Sequence, residues 1–328
     1  MSLKDKIIGQ LGFGSAPLGN AFRSIPEDEA AATVQAAWDA GIRYFDTAPL
    51  YGAGLAEERL GLALSNYSRD QFTLSSKVGR LISDEARDSS YKGDFEFGKP
   101  NKIITDYSAD ATLRSIESSL QRLKMDRLDV VYVHDPAQDA HGDQWIEHYN
   151  VARTGAFKVL ARLKEEGVIK AWGLGVNRVE PCELTLDLEE SEPDGFLLAG
   201  RYSILDHNQP FERLFTKAAK HNAEFVIGGA YSSGVLVGGK HFNYREAPPQ
   251  VLARVQDVQT LARSFDVDIK SAALQFVIAH PLVAAVIPGS SKPSRIGEDI
   301  SAFKAVVPDE FWAAMKAHGY IAEQCPTP

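Results

Sequence analysis

The sequence predicts an α/β fold, a (β/α)8 TIM barrel with long loops on its C-terminal face, and three observations carry that expectation. Eight short apolar runs alternate with amphipathic helical patterns along the 328 residues. Several of those runs lack polar alternation, as in a parallel sheet covered on both faces. No composition break, low-complexity tract or solenoid period divides the chain. One barrel domain over 1–328 is therefore expected, with an eight-unit doubly wound sheet as the alternative arrangement.

The first run is Leu11–Ala16, and the helix Glu27–Ala40 follows it. Ser24-Ile-Pro-Glu27 has capping-box form with an early proline, and Gly41 stands where a left-handed C-terminal cap needs no Cβ. Ile42–Phe45 is the second strand and Glu57–Leu64 its helix; Phe72–Ser76 is the third strand. The segment Ser83–Tyr107 then interrupts the alternation, being long, polar and mixed. A loop of that length is functional or disordered, and after a barrel strand it lies on the active-site face, so a substrate lid is expected. The helix Ala109–Lys124, the strand Leu128–Val133 and the helix Ala156–Glu166, stopped by Gly167, resume the pattern. Strands Lys170–Gly175, Gly195–Ala199, Glu224–Gly228 and Ala284–Pro288 complete the eight, with helices Phe211–His221 and Ser271–Ala279 between them.

Charge and cysteine content exclude several classes of function. Lys and Arg number 35 against 44 Asp and Glu, a net charge of −9. Without a basic block, nucleic acid and anionic membrane are not expected partners. The apolar stretch Ser271–Gly289 carries Gln275, His280 and Pro281, so it reads as a buried helix and strand rather than a membrane span. Met1 to Lys6 lacks a signal peptide's apolar region, and Cys182 and Cys325 form no C-x-x-C pattern, which suits the reducing cytoplasm. Two familiar motifs fail: Pro17 occupies the third glycine position after Gly12-Phe-Gly14, and His241 follows Gly234–Lys240 where a P-loop needs Ser or Thr. The eight histidines show no ligand spacing, and no metal is expected.

Four polar residues fall at or just after successive strand ends: Asp46, Tyr51, Lys77 and His134. In a barrel these ends converge on one mouth. A free phenol titrates near 10, too high for rapid proton exchange at neutrality. A Lys77 ammonium beside Tyr51 is expected to lower it by about 1–3 units. Asp46 would keep Lys77 charged, and His134 would hydrogen-bond the substrate oxygen.

The segments Gly41-Ile-Arg-Tyr-Phe-Asp46-Thr-Ala-Pro-Leu-Tyr51-Gly52, Ser119 through His134, and Ile287 through Asp299 resemble three signatures of the aldo-keto reductases, nicotinamide-dependent oxidoreductases built on the (β/α)8 barrel. The resemblance covers nearly the whole chain. It implies that Tyr51, Asp46, Lys77 and His134 form a catalytic tetrad, with Tyr51 the general acid in reduction and the general base in oxidation. It also implies a cofactor site. Gly14, Ser15, Ala16 and Asp46 would lie at the nicotinamide end, Asn177 would hold the carboxamide, and Tyr231 would stack on the ring. Val176 and Ala199 stand where the family usually has Ser and Gln. Ser232, Ser233, Gly234 and Leu236 would wrap the pyrophosphate through backbone N–H groups. Pro288, Gly289, Ser290, Ser291, Lys292 and Arg295 would surround the adenosine end, with donors for a ribose 2′-phosphate. Glu298 would accept from the adenine amino group beside Asp299. Gly289 and Asp299 replace a basic residue and an Asn; NADP(H) is favoured and NAD(H) stays open.

Asp46-Thr-Ala-Pro-Leu-Tyr51-Gly52, Leu198 through Leu205, and Gly228 through Leu236 resemble the bacterial aldose 1-dehydrogenases of the L-fucose or D-threo-aldose type and the pyridoxal 4-dehydrogenases. That branch implies oxidation of a hemiacetal carbon to a lactone. A broad NADPH-dependent aldehyde reductase and a nicotinamide-binding sensor or channel-associated subunit are the alternatives. Phe22, Arg80, Trp172 and Arg201 are near strand ends or loops, within expected reach of a small sugar, aldehyde or pyridoxal.

Overall fold

In a computed structural model of the chain, which describes residues 1–21 and 23–328, the eight apolar runs become eight parallel strands. They are β1 (Phe13–Gly14), β2 (Tyr44–Asp46), β3 (Thr73–Val78), β4 (Val130–His134), β5 (Ala171–Val176), β6 (Gly195–Ala199), β7 (Glu224–Gly228) and β8 (Val283–Ile287). Each pairs with the next in sequence order. The ends also meet: Gly12 N donates to Val286 O at 2.9 Å, Val286 N to Gln10 O at 2.8 Å and Gly14 N to Pro288 O at 3.1 Å. The sheet is thus a barrel and not a doubly wound sheet. Phe22 lies outside the described residues.

Eight helices cover the barrel: α1 (Glu27–Asp39), α2 (Leu55–Leu64), α3 (Ala109–Leu123), α4 (Ala156–Glu165), α5 (Glu180–Leu186), α6 (Phe215–Lys220), α7 (Ile269–Ile278) and α8 (Pro293–Lys304). Ser24 does not cap α1. The N-cap is Pro26, and Glu27, Asp28 and Glu29 in the first turn complement the helix dipole instead. Gly41 and Gly167 do take the expected left-handed conformation, at φ 89° and 74°. The expected Phe211–His221 helix is divided, because a π-type turn over Pro210–Leu214 precedes α6. Helices Trp145–Thr154, Pro249–Ser264 and Asp309–Ala317 add to the alternation.

Two apolar layers follow from strand geometry. Inward residues Tyr44, Val130, Tyr132, Leu197, Val226 and Ala285 fill the barrel, and Leu3 and Ile7 plug it from below. The plug helix, Leu3–Lys6, carries a Ser2–Asp5 capping box and ties to the strand N-terminal side through Lys4 N to Glu224 Oε2 at 2.6 Å. Outward residues pack against the helices as one large cluster. With its lower end closed, the barrel can receive a ligand only at the strand C-terminal end. Among the described residues, no helix is long and apolar enough to cross a membrane.

The segment expected as a long polar lid loop forms an antiparallel ribbon, Arg80–Ala86 with Asn101–Thr105, and residues 87–100 form its tip. A second, shorter ribbon pairs His241–Phe242 with Arg245–Glu246. Both rise from the mouth. Ile82 and Ile103 make the first ribbon's register, a β-former content that its flanking Asp, Ser and Gly residues conceal in the sequence.

Candidate active site

Asp46 and His134 end β2 and β4, Lys77 lies one residue before the end of β3, and Tyr51 follows β2 on a tight turn. The structure brings all four together. Lys77 Nζ donates to Asp46 Oδ2 at 2.6 Å and to Thr47 O at 2.8 Å. Ser75 Oγ donates to the other Asp46 oxygen at 2.6 Å. Tyr51 is half-buried above them, with Lys77 Nζ 4.8 Å from its ring centroid. The His134 ring stands perpendicular to it at 5.9 Å, and Phe95 from the ribbon tip covers it at 5.5 Å.

Tight backbone packing fixes Tyr51. Gly52 has φ 66°, and a Cβ there would lie 2.3 Å from Gly19 O; one on Gly19 would lie 2.5 Å from the Tyr51 carbonyl carbon. The ribbon tip docks on the same turn, with Lys99 N donating to Gly52 O at 3.1 Å and Asn20 Nδ2 to Phe97 O at 2.9 Å.

The charges are not distributed as the sequence suggested. Tyr51 is pushed well above the ordinary phenol value, by burial first and then by the charges of Asp46 and Asp135. Burial and these two acidic charges, rather than the Lys77 ammonium, set its direction. Burial raises the Asp46 carboxyl while Lys77 and Ser75 oppose that shift. His134 is held well below its usual value by burial and by the charges of Lys77 and Arg80. It is therefore neutral. Its Nδ1 is buried without a partner, and an orphaned N–H there would cost more than an orphaned lone pair. The favoured tautomer carries the proton on Nε2, facing the mouth side where Asp135 Oδ2 lies 3.5 Å away.

The expected cofactor residues form two flanks. Gly14, Ser15 and Ala16 leave β1, and Gly289 bridges to Gly14 where a Cβ would crowd Pro17 at 3.1 Å. Ser15 Oγ is fully buried without a partner. Pro288, Ser290 and Ser291 lead into α8, and Ser290 Oγ donates to Lys292 O at 3.1 Å. Lys292 and Arg295 are exposed at the start of that helix. Further along α8, Asp299 Oδ1 accepts from the Tyr231 hydroxyl at 2.6 Å, and Glu298 pairs with Lys270. Asn177 donates to Asp139 Oδ2 at 3.3 Å. Ser232, Ser233 and Gly234 all have positive φ. The N–H groups of Ser232, Gly234 and Leu236 are spent on turn bonds within the loop, which leaves fewer free donors than the sequence suggested. An unpartnered buried hydroxyl, a glycine-lined approach and exposed cations on one side fit an anionic dinucleotide.

Of the residues expected near substrate, Trp172 is core, its ring 5.4 Å from Phe157. Arg201 is a latch, joining Asn177 O at 2.7 Å to Asp206 at 2.7 Å and Asn243 at 3.1 Å. Arg80 binds Tyr107 Oη at 2.8 Å beneath the ribbon. Three residues at the site had escaped notice. Asp135 directly follows His134 and was readable beside it. Arg23, which reaches Ser291 O at 3.3 Å, and its partner Glu29 lie far from Ser291 in sequence and carried no local signal. Among the described residues, no group of three or more His, Cys, Asp or Glu is placed to hold a metal ion.

Residues 10–319 match the sequence profile of the Aldo/keto reductase family. The chain is 36% identical to a pyridoxal 4-dehydrogenase of Microbacterium luteolum, over 95% of this chain and 94% of the relative. It is 34% identical to a D-threo-aldose 1-dehydrogenase of a Pseudomonas species, over 98% and 96%. Among solved structures, a holo-form aldo-keto reductase from Bacillus halodurans superimposes with a TM-score of 0.67 at 26% identity, covering 94% of this chain and 91% of that one.

Proposed function

The chain belongs to the aldo/keto reductase family, and from that premise we propose that it oxidises the anomeric carbon of an aldose of the L-fucose or D-threo-aldose type to a lactone. As a family member it is an NAD(P)-dependent oxidoreductase. One observation carries the assignment of roles: a buried Lys77–Asp46 pair lies under Tyr51, with a neutral His134 at right angles to it.

The bound nicotinamide supplies the hydride acceptor or donor and, when oxidised, a positive charge. Gly14, Ser15, Ala16, Asn177 and Tyr231 would hold its ring end, and 232–236 and 288–299 the phosphate and adenosine ends. His134 Nε2–H donates to the reacting oxygen and fixes it beside Tyr51. A phenol held protonated is an acid, so in reduction Tyr51 gives its proton to that oxygen. In oxidation the anomeric hydroxyl passes its proton to Tyr51 as the hydride leaves the same carbon. A nearby cation favours the ionised phenol that this direction requires.

Arg23, Lys292 and Arg295 support NADP(H). Glu29 opposes it: its carboxyl is lowered by its hydrogen bond to Arg23 and by the charges of Arg23 and Lys292, so it stays ionised beside those cations. NAD(H) is therefore tested in parallel. The similarity to a pyridoxal 4-dehydrogenase supports pyridoxal as the second substrate reading. The measurement is NAD⁺ and NADP⁺ reduction with L-fucose, D-arabinose, L-galactose and pyridoxal, beside NADPH oxidation with a simple aldehyde. Turnover of an aldose is expected; turnover of the aldehyde alone overturns the dehydrogenase reading. A cytoplasmic location is part of the same proposal, supported by the two free, buried cysteines.

A further inference from the structure

Asp135 stands immediately beyond β4, between His134 and Pro136. Its backbone is left-handed, at φ 48°. That conformation is rare for a residue with a Cβ and is further disfavoured before proline. It is enforced from two sides. Asp135 N donates to Gly175 O at 3.0 Å, and the Tyr107 hydroxyl lies 2.6 Å from His134 O and 2.9 Å from Asp135 O. Strain maintained in this way marks places where a side chain must be aimed.

The aim is toward the mouth. The carboxylate is 14% exposed, and its one ion-pair contact among the described residues is His134 Nε2 at 3.5 Å. That is longer than a good hydrogen bond, and a carboxylate can accept about four. The same charge raises the phenols of Tyr51 and of Tyr244, on the second ribbon. Lys77, Arg80 and Asp139 are the other charges that act on it. A nearly buried carboxylate, with free acceptor capacity, thus lies beside the His134 Nε2 that is proposed to hold the reacting oxygen.

We infer that Asp135 is a specificity-determining residue that accepts a hydrogen bond from a hydroxyl on the carbon next to the reacting one, selecting α-hydroxy carbonyl compounds and their hemiacetals. The inference rests on the roles proposed above for Tyr51 and His134. If His134 Nε2–H holds the reacting oxygen, the neighbouring Asp135 carboxylate meets the oxygen one carbon away. An aldose has a hydroxyl there. In pyridoxal the phenolic hydroxyl is one carbon further off, so the aldose is the better match.

The test compares paired substrates that differ by that hydroxyl: L-fucose with 2-deoxy-L-fucose in oxidation, and 2-hydroxypropanal with propanal in reduction. In the wild type, kcat/KM is expected to favour the hydroxylated member by about 10- to 100-fold, mainly through KM, because the analogue leaves the acceptor unpaired. The ratio should approach one in Asp135→Ala and be intermediate in Asp135→Asn, which keeps a neutral acceptor. A general loss of structure would not produce this grading. Equal wild-type rates within both pairs overturn the inference, as does discrimination that persists in Asp135→Ala. Discrimination in reduction without any sugar oxidation supports Asp135 and overturns the lactone-forming reading instead. No turnover of any of the four compounds overturns both.

Discussion

Lys77 Nζ lies 2.6 Å from Asp46 Oδ2, with the two side chains 1% and 2% exposed. The ammonium's charge still acts on His134 and Asp135. The phenol above the pair is governed by burial and by the acidic residues, so the pair supports Tyr51 from below more than it acidifies it.

Tyr51→Phe removes the hydroxyl proposed above to exchange a proton with the reacting oxygen. Hydride transfer should fall by about 10²- to 10⁴-fold, the usual contribution of a general acid–base group. Cofactor affinity, followed by fluorescence titration, should not change. Retained single-turnover rates would reject the role assigned to Tyr51.

Lys77→Met leaves Asp46 buried with Ser75 as its remaining side-chain donor. Stripping one partner from a buried pair costs about 3–5 kcal/mol, whereas replacing both with apolar groups is often nearly neutral. In thermal or urea unfolding, Lys77→Met should therefore be less stable than the double substitution Asp46→Leu/Lys77→Met. The double variant should still be inactive, since stability and catalysis are separate at this pair.

Gly52→Ala and Gly41→Ala separate crowding from strain. Both glycines have positive φ, but a Cβ at Gly41 meets nothing within 4 Å while one at Gly52 meets Gly19 O at 2.3 Å. Gly41→Ala should cost about 1–2 kcal/mol and leave kcat alone. Gly52→Ala should cost more and depress kcat, because relief of the clash moves Tyr51. Equal effects on turnover would show that the turn does not position the phenol.

His280 is held neutral, its value pushed down to about 4 by burial among Phe215, Tyr202 and Phe211. Its ordinary value is about 6.5. The unfolded chain binds its proton first on acidification, so this stabilisation is present above pH 6.5 and is lost as pH falls toward 4. Asp135, raised to about 7 by burial, works in the opposite sense across that window. A comparison of Tm between wild type and His280→Gln cancels the Asp135 contribution. The wild type should lose more stability between pH 6.5 and 4; parallel curves would refute the assignment.

Glu29→Gln removes an anion from beside Arg23 and Lys292. NADP⁺ affinity should rise by about 3-fold, a modest effect because the pair is partly exposed and screened. NAD⁺ affinity should stay constant. An equal change in both would place the ribose phosphate elsewhere.

Much of this was legible in the chain. The alternation of apolar runs and helices specified the barrel because most strands, buried on both faces, are largely apolar, although β3 carries Ser75, Ser76 and Lys77. Asp46, Lys77 and His134 were readable because polar residues at the ends of such runs stand out. What sequence concealed depends on contacts between distant segments. Nothing local shows that Arg23 reaches Ser291, that burial and acidic neighbours set the direction at Tyr51, or that residues 83–107 fold back as a ribbon. Ser24 misled for a related reason: a capping pattern is local, and the backbone at Pro26 took the cap position instead.

The ribbon tip is tied through main-chain atoms: Phe97 O accepts from Asn20 and Lys99 N donates to Gly52 O, while Arg87 holds Phe95 O within the tip. None of these bonds depends on which side chain occupies positions 94–96. Diversity can therefore accumulate at those positions, by natural drift or in a randomised library, while the cover stays in place. Since Phe95 covers Tyr51, residues 94–96 are where a library can vary the cover of the proposed site with least cost to folding.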